Sequence, residues 1–274
     1  MIELLLLPYL ASPDRLSLDV GASLGACSRE LVPLSKEVHL FEPIPEASAA
    51  LVDTFSSAKT VFVYPTAVSD RVGFADLRIP TLDALGEWPA LATMEEANAL
   101  DGLPSRNLRV MTCSLDSLNL HDIGFIRIDV EGHELTVLKG AVDILQQDHP
   151  NILIDAEERH SAGIVSKISA FLSAFGYSGI FRSDQNNNFL NVIHFDALKH
   201  QNPQNLGKYE YCGSFIFSTD IDLLSQCADN AELKLPNGFA KFRYLELHGD
   251  VRAAGVDPAL HYLLHGRREG REWR

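Results

Sequence analysis

Three short apolar runs in this 274-residue chain end in acids. Leu16 to Val20 carries Asp19 and runs into Gly21-Ala22-Ser23-Leu24-Gly25, Val38 to Phe41 is followed by Glu42, and Phe125 to Ile128 by Asp129-Val130-Glu131-Gly132-His133. A strand, a glycine turn and a helix, with a second acid closing the next strand, can hold a nucleoside-bearing ligand across the carboxyl ends of parallel strands. The glycines let the backbone approach the ligand. Glu42, 23 residues after Asp19, can accept hydrogen bonds from ribose hydroxyls.

The spacing Asp19-x-Gly21-x-x-x-Gly25 lacks the middle glycine of a dinucleotide turn. An acid at the strand end opposes a pyrophosphate and suits a cationic ligand. S-adenosylmethionine carries a sulfonium and an amine, and is the expected cofactor. Two rival readings are an NAD-dependent oxidoreductase, disfavoured by the glycine spacing, and a non-catalytic interaction module that kept the cofactor fold. Alone, the turn would also fit a plain strand-to-helix connection.

Were such a donor's methyl group passed to a hydroxyl, the site would need to align oxygen, methyl carbon and sulfur, and to offer a base for the hydroxyl proton. The candidate catalytic residues are Asp129, Glu131 and His133 after one strand, and Glu157 and His160 after the next acid-ended run, Ile152 to Ala156. Imidazole suits the task because it titrates near neutrality. A helix-start residue with a solvated ring is the plainer reading of His133. Glu134 suits a helix N-terminus, and Asp116 fits a turn as well as a site. Asp129, Glu131 and Glu157 have the chemistry to bind a metal, but acids cluster at strand ends without one, and no metal is expected.

The elements that position these residues alternate. Strands are expected at Leu16–Val20, Glu37–Phe41, Thr60–Tyr64, Phe125–Val130 and Ile152–Ala156, with a late pair at Tyr177–Phe181 and Ser214–Phe217. Helices are expected after Gly25, shortened by Pro33, from Ile44 to Phe55 behind two prolines, from Glu134 to Gln147, and through Ile164 to Phe175. Ala67 to Ile79 breaks this rhythm as a hairpin excursion. Pro80 to Arg106 reads as an insertion near the cleft mouth, either a lid or a surface loop. Strands alternating with helices imply a mostly parallel sheet covered on both faces. After Ser218 the pattern becomes a short helix to Leu235 and a tail of two small helices, giving a domain at 1–218 and a helical extension at 219–274.

Lys and Arg total 23 against 37 Asp and Glu, a formal charge of −14, which opposes nucleic acid as a partner. The one conspicuous basic cluster is Arg267 to Arg274. Hydrophobic residues make up 46%, enough for a sizeable core. Cys27, Cys113, Cys212 and Cys227 have neither metal nor disulfide spacing, and read as reduced thiols. The apolar start, Met1 to Tyr9, is short and lacks a basic n-region, so it fits a docking segment better than a signal peptide. No run approaches membrane-spanning length, and the expected compartment is the cytoplasm.

The motifs DVGASLG from Asp19, FEP from Phe41, AVSD from Ala67, SLDSL from Ser114, IRIDVEGHELTVLKGA from Ile126 and ILIDAEERH from Ile152 resemble the FkbM family of S-adenosylmethionine-dependent methyltransferases. The likeness covers about Leu16 to Phe217, and Ser23 stands where the family usually has Asn. The resemblance implies an α/β, Rossmann-like class I sheet of seven strands with the last antiparallel. It implies O-methylation of a saccharide, glycoconjugate or secondary metabolite. It also implies a cofactor held by Asp19, Gly21, Ala22, Ser23 and Gly25 around the methionine part, Glu42 at the ribose, Ala67 near the adenine and Asp129 at the cleft floor. The tail, from Tyr244 to Val251 and Asp257 to Arg271, resembles a short module at the ends of some bacterial glycosyltransferases and polysaccharide-related enzymes. That likeness implies a bacterial enzyme with a cell-surface glycan acceptor that docks to a glycosyltransferase through the tail. A helix pair sealing the main core is the alternative reading.

Overall fold

A computed structural model describes residues 2–82, 86–95, 104–183, 188–206, 211–229, 236, 238–254 and 258–273. The strands are β1 (Leu16–Val20), β2 (Glu37–Phe41), β3 (Val61–Tyr64), β4 (Ala67–Val68), β5 (Gly73–Leu82), β6 (Gly86–Glu87), β7 (Ser105–Cys113), β8 (Ile123–Asp129), β9 (Asn151–Asp155), β10 (Ser178–Arg182), β11 (Phe189–Asn191) and β12 (Ser214–Ser218). Eight form the main sheet in the order β11-β10-β12-β9-β8-β1-β2-β3. Strands β3, β2, β1, β8 and β9 run parallel, and β12 lies antiparallel between β9 and β10. The fold is thus α/β with the expected antiparallel last strand. It has eight strands where seven were expected, because the three-residue β11 pairs antiparallel along the outer edge of β10. So short a strand leaves no period to read.

Side-chain alternation explains why both faces are covered. Ile126, Ile128, Ile152 and Ile154 point to one face, against Val137, Leu138, Leu145 and Ile168. Phe125 and Leu153 point to the other, against Leu31, Leu51 and Leu224. Helix α1 is Leu7–Leu10, α2 is Ala26–Leu31, running on as a single 3₁₀ turn through Pro33, and α3 is Pro45–Thr54 with proline in its first turn. The helix expected from Glu134 to Gln147 is two, α4 (Glu134–Lys139) and α5 (Val142–Gln147). The break falls at Gly140, where a Cβ would lie 2.1 Å from the Ser69 carbonyl oxygen. That close approach sets α4 directly against the Ser69 turn. Asp116 accepts from the Asp143 and Ile144 amides and so caps α5.

The excursion after β3 is a separate four-stranded sheet, β4-β7-β5-β6, larger than the expected hairpin. Strand β7 begins at Ser105 and pairs antiparallel with β5 along eight positions, from Gly73–Thr112 to Pro80–Ser105. Positions 83–85 and 96–103 of the expected insertion lie outside the described residues. Helix α6 is Ile164–Ser173, and α7 is Ala197–His200. Helix α8 is Ile221–Asp229, shorter than the helix expected to Leu235, whose last residues are not described. The first of the two expected tail helices divides into α9 (Lys241–Leu247) and α10 (Gly249–Ala254), parting at His248. Helix α11 is Pro258–His261 and continues as a π turn to Gly266. Ala259 and Leu263 share one core cluster with Leu6 and Leu7 of the N-terminal segment. Among the described residues no helix is long and apolar enough to cross a membrane.

Candidate functional site

The turn after β1 is built from left-handed backbone. Gly21, Ser23 and Gly25 have φ of +81°, +49° and +78°. At Gly21 a Cβ would stand 2.0 Å from the Asp129 carbonyl oxygen, so only glycine lets β1 and β8 open side by side there. Ser23 takes a conformation that costs an L-residue about 1–2 kcal/mol. An anchor holds it: its amide donates to Glu42 Oε2 at 2.9 Å, while the Ile44 amide donates to Oε1 at 2.9 Å. Burial raises the Glu42 pKa, and the two amide bonds oppose that rise. A carboxylate has about four lone-pair sites, so the two amides leave it capacity for ligand hydroxyls.

Behind the turn lies a charge cluster. Asp19, Arg127, Asp129 and Asp155 project from one face of the sheet, and the register sets Asp19 beside Arg127 and Asp129 beside Asp155. Arg127 bonds Asp19 Oδ1 at 3.0 Å, contacts Asp129 and lies 3.8 Å from Asp155 Oδ2. Burial works against the guanidinium charge, but Asp129, Asp19 and Asp155 together raise its pKa. Burial also raises the Asp129 carboxyl, against the pull of Arg127. Asp155 is pushed up to about 6, by burial and then by Asp129. Three carboxylates around one guanidinium leave the floor of the cleft net negative, which suits an ammonium or sulfonium group.

The loop after β8 turns at Gly132, φ +96°. Glu134, at the start of α4, accepts from the Gly132 amide at 2.8 Å, and burial pushes its pKa up to about 8. His133 is 13% exposed; Nδ1 lies 2.6 Å from Glu95 Oε1 and Nε2 3.0 Å from Ser69 Oγ. Glu131 Oε2 lies 2.6 Å from Nε2 of the buried His160 and 3.8 Å from Arg159. Glu157 accepts from the Tyr211 hydroxyl at 2.7 Å and pairs with Arg159.

One cavity gathers Gly21, Ser23, Glu42, Ala67, Asp129, Glu131 and His133. Ile44 ahead of α3, Leu77 on β5, and Ala92 and Met94 beside β5 supply apolar walls. Asp19 does not line it. It is fully buried beneath α2, bonded by the Ser28 hydroxyl at 2.6 Å and by Arg127. Ala22 and Gly25 shape the turn without reaching the cavity, and Glu157 and His160 stand outside its lining. Among the described residues no group of three or more His, Cys, Asp or Glu is placed to hold a metal. The four cysteine side chains are buried or half-buried thiols.

Arg127, Asp155 and Glu95 were not foreseen from sequence. A lone arginine inside an apolar strand was the available signal for the first two, because a buried charge demands a partner. Glu95 sits in a polar stretch without period, and nothing in the sequence ties it to His133. No lysine or arginine is among the described residues that line the cavity.

The model of the methyltransferase FkbM domain matches residues 19–178. The 2-O-methyltransferase NoeI of Sinorhizobium fredii is 26% identical over 148 residues, covering 50% of this chain and 61% of NoeI. The chain therefore spans about three fifths of the length of that curated relative. Among solved structures, methyltransferase FkbM from Methylobacillus flagellatus is 16% identical, with a TM-score of 0.49 over 75% of this chain and 44% of that one. The Streptococcus mutans protein SMU.1697c, solved with SAH, is 8% identical, with a TM-score of 0.44 over 79% of this chain and 94% of that one.

Proposed function

The chain belongs to the FkbM methyltransferase family, whose membership points to S-adenosylmethionine as methyl donor, and we propose that it methylates a hydroxyl of a neutral saccharide, glycoconjugate or secondary metabolite. The observation that carries this reading is the single cavity that brings a ribose-type acid, Glu42, and a base-type imidazole, His133, to one space. The cavity's chemistry fits the donor. Gly21 leaves the backbone bare, Glu42 retains acceptor capacity, and the floor is net negative. The likeness to NoeI, a 2-O-methyltransferase, supports oxygen as the acceptor atom. An acidic lining without a described lysine or arginine supports a neutral acceptor, since it would repel phosphate or carboxylate.

When bound, the donor supplies a methyl group on a positively charged sulfur and leaves as a neutral thioether. The chain's part is to hold and to deprotonate. Glu42 accepts from the ribose hydroxyls, Ile44, Ala67 and Leu77 enclose the adenine, and Asp129, backed by Asp19 and Asp155, balances the amine. His133 Nε2 takes the proton of the acceptor hydroxyl as its oxygen bonds to the methyl carbon. Alignment of this kind can supply roughly 7–11 kcal/mol of the barrier.

Residues 1–218 form the catalytic domain in this proposal, and 219–274 seal it. The shared cluster of Ala259 and Leu263 with Leu6 and Leu7 supports sealing over docking of the tail to a glycosyltransferase.

The test is tritiated-methyl transfer onto a panel of neutral oligosaccharides, with calorimetry against S-adenosylhomocysteine and NADH. Binding of NADH alone would overturn the reading. Glu42→Ala is expected to weaken S-adenosylhomocysteine by about 10–100-fold, the worth of one or two hydrogen bonds to a charged group. Unchanged affinity would show the ribose to lie elsewhere.

Affinity should also depend on pH. Asp155, raised to about 6, and Asp129, also raised, carry their charge only above their folded values. The ligand amine favours the ionised carboxylates, so binding strengthens as pH rises through about 6 and weakens below it. A flat calorimetric profile across that range would remove the amine from this cluster.

A further inference from the structure

The segment that carries Glu95 is fastened to both walls of the cleft. Thr93 exchanges backbone hydrogen bonds with Arg78 of β5 at 2.8 and 2.9 Å, and Arg78 donates to the Glu95 carbonyl at 2.6 Å. The Thr93 hydroxyl donates to the Glu131 carbonyl at 2.6 Å and accepts from the Glu95 amide at 3.1 Å. Across from it, a Cβ at Gly132 would stand 3.3 Å from Glu95 Cγ. The glycine thus leaves the space through which the Glu95 side chain reaches His133.

We propose that Glu95 is a positioning residue that fixes the tautomer and orientation of His133, so that Nε2 is the basic nitrogen. This rests on His133 being the base. An ionised carboxylate only accepts, so the 2.6 Å contact to Nδ1 places the ring proton on Nδ1. Nε2 then holds the lone pair. It meets the Ser69 hydroxyl oxygen at 3.0 Å, whose place an acceptor hydroxyl takes for the transfer. On transfer the O–H bond would break and its proton bond Nε2, the freed pair on the acceptor oxygen would bond the methyl carbon as the carbon–sulfur pair leaves with the donor's sulfur, and the imidazolium would form against the Glu95 carboxylate.

The experiment is ¹⁵N NMR of the histidine rings in mildly alkaline solution, with His133→Ala used to identify the His133 signals among ten histidines. The wild type is expected to show the Nδ1–H tautomer. Glu95→Ala is expected to convert it to Nε2–H, the form favoured by a free ring, and Glu95→Gln, which keeps an acceptor oxygen, to retain Nδ1–H. With a neutral oligosaccharide acceptor found in the panel, Glu95→Ala should lower kcat by at least about tenfold, with partial recovery in Glu95→Gln. A merely structural role would move the melting temperature and leave the tautomer in place. An unchanged Nδ1–H tautomer in folded Glu95→Ala overturns the proposal. A shifted tautomer supports it, and if His133→Ala nevertheless transfers methyl at the wild-type rate, the base assignment fails on its own.

Discussion

Replacing His133 with alanine is expected to lower methyl transfer by about 10²–10⁴-fold, the usual worth of a positioned acid–base group. The affinity for S-adenosylhomocysteine should stay within about twofold, because none of the donor-holding contacts assigned above involves the imidazole. The ring stands at the start of α4, 13% exposed, with both nitrogens engaged, unlike a solvated helix-start histidine. Single-turnover transfer separates this loss from slow product release. A variant that turns over at the wild-type rate would move the role to Glu131, which lines the same cavity and lies 2.6 Å from His160.

Arg127→Met should cost about 3–5 kcal/mol of stability, since breaking a buried ion pair leaves its partners uncompensated. Here the partners are three, Asp19, Asp129 and Asp155, all on one sheet face. The loss should depend on pH with a definite sign. Asp129 and Asp155 already have folded pKa values above the ordinary carboxylate value. A raised carboxyl contributes stability that is complete below its unfolded value and is lost as pH rises through its folded value. Without the guanidinium the values climb further, so the destabilisation grows on raising pH and shrinks on acidification. Urea unfolding of both proteins on either side of pH 6 checks this. An equal loss on both sides would mean that the arginine acts through packing alone.

The parallel strands were legible because burial on both faces writes near-continuous apolar runs. β1, β2, β8 and β9 therefore stood out, and the acids at their ends marked the cleft. Glu42, Asp129, Glu131 and His133 were singled out on that basis, and they line one cavity. Asp19 was legible as an acid at a strand end, but not its depth, which depends on the register that sets it against Arg127. The four-stranded sheet was harder to read. Its exposed face mixes Phe74 and Met111 with Asp76 and Arg109, so no clean alternation marks it. Gly140 looked like an ordinary helix residue, because the carbonyl that approaches it belongs to Ser69, 71 positions earlier. Glu95 depends likewise on a contact spanning 38 positions.

The cleft draws its two sides from different sheets. Glycine turn, Glu42 and His133 come with the large one, while Leu77, Ala92 and Met94 come with or beside the small one. Retargeting this scaffold to a new substrate would therefore mean rewriting the stretch between Gly73 and Cys113 while sparing Leu77, Arg78, Thr93 and Glu95. The glycine turn and the acids of the large sheet would be inherited intact, so diversification of relatives should concentrate in that one interval.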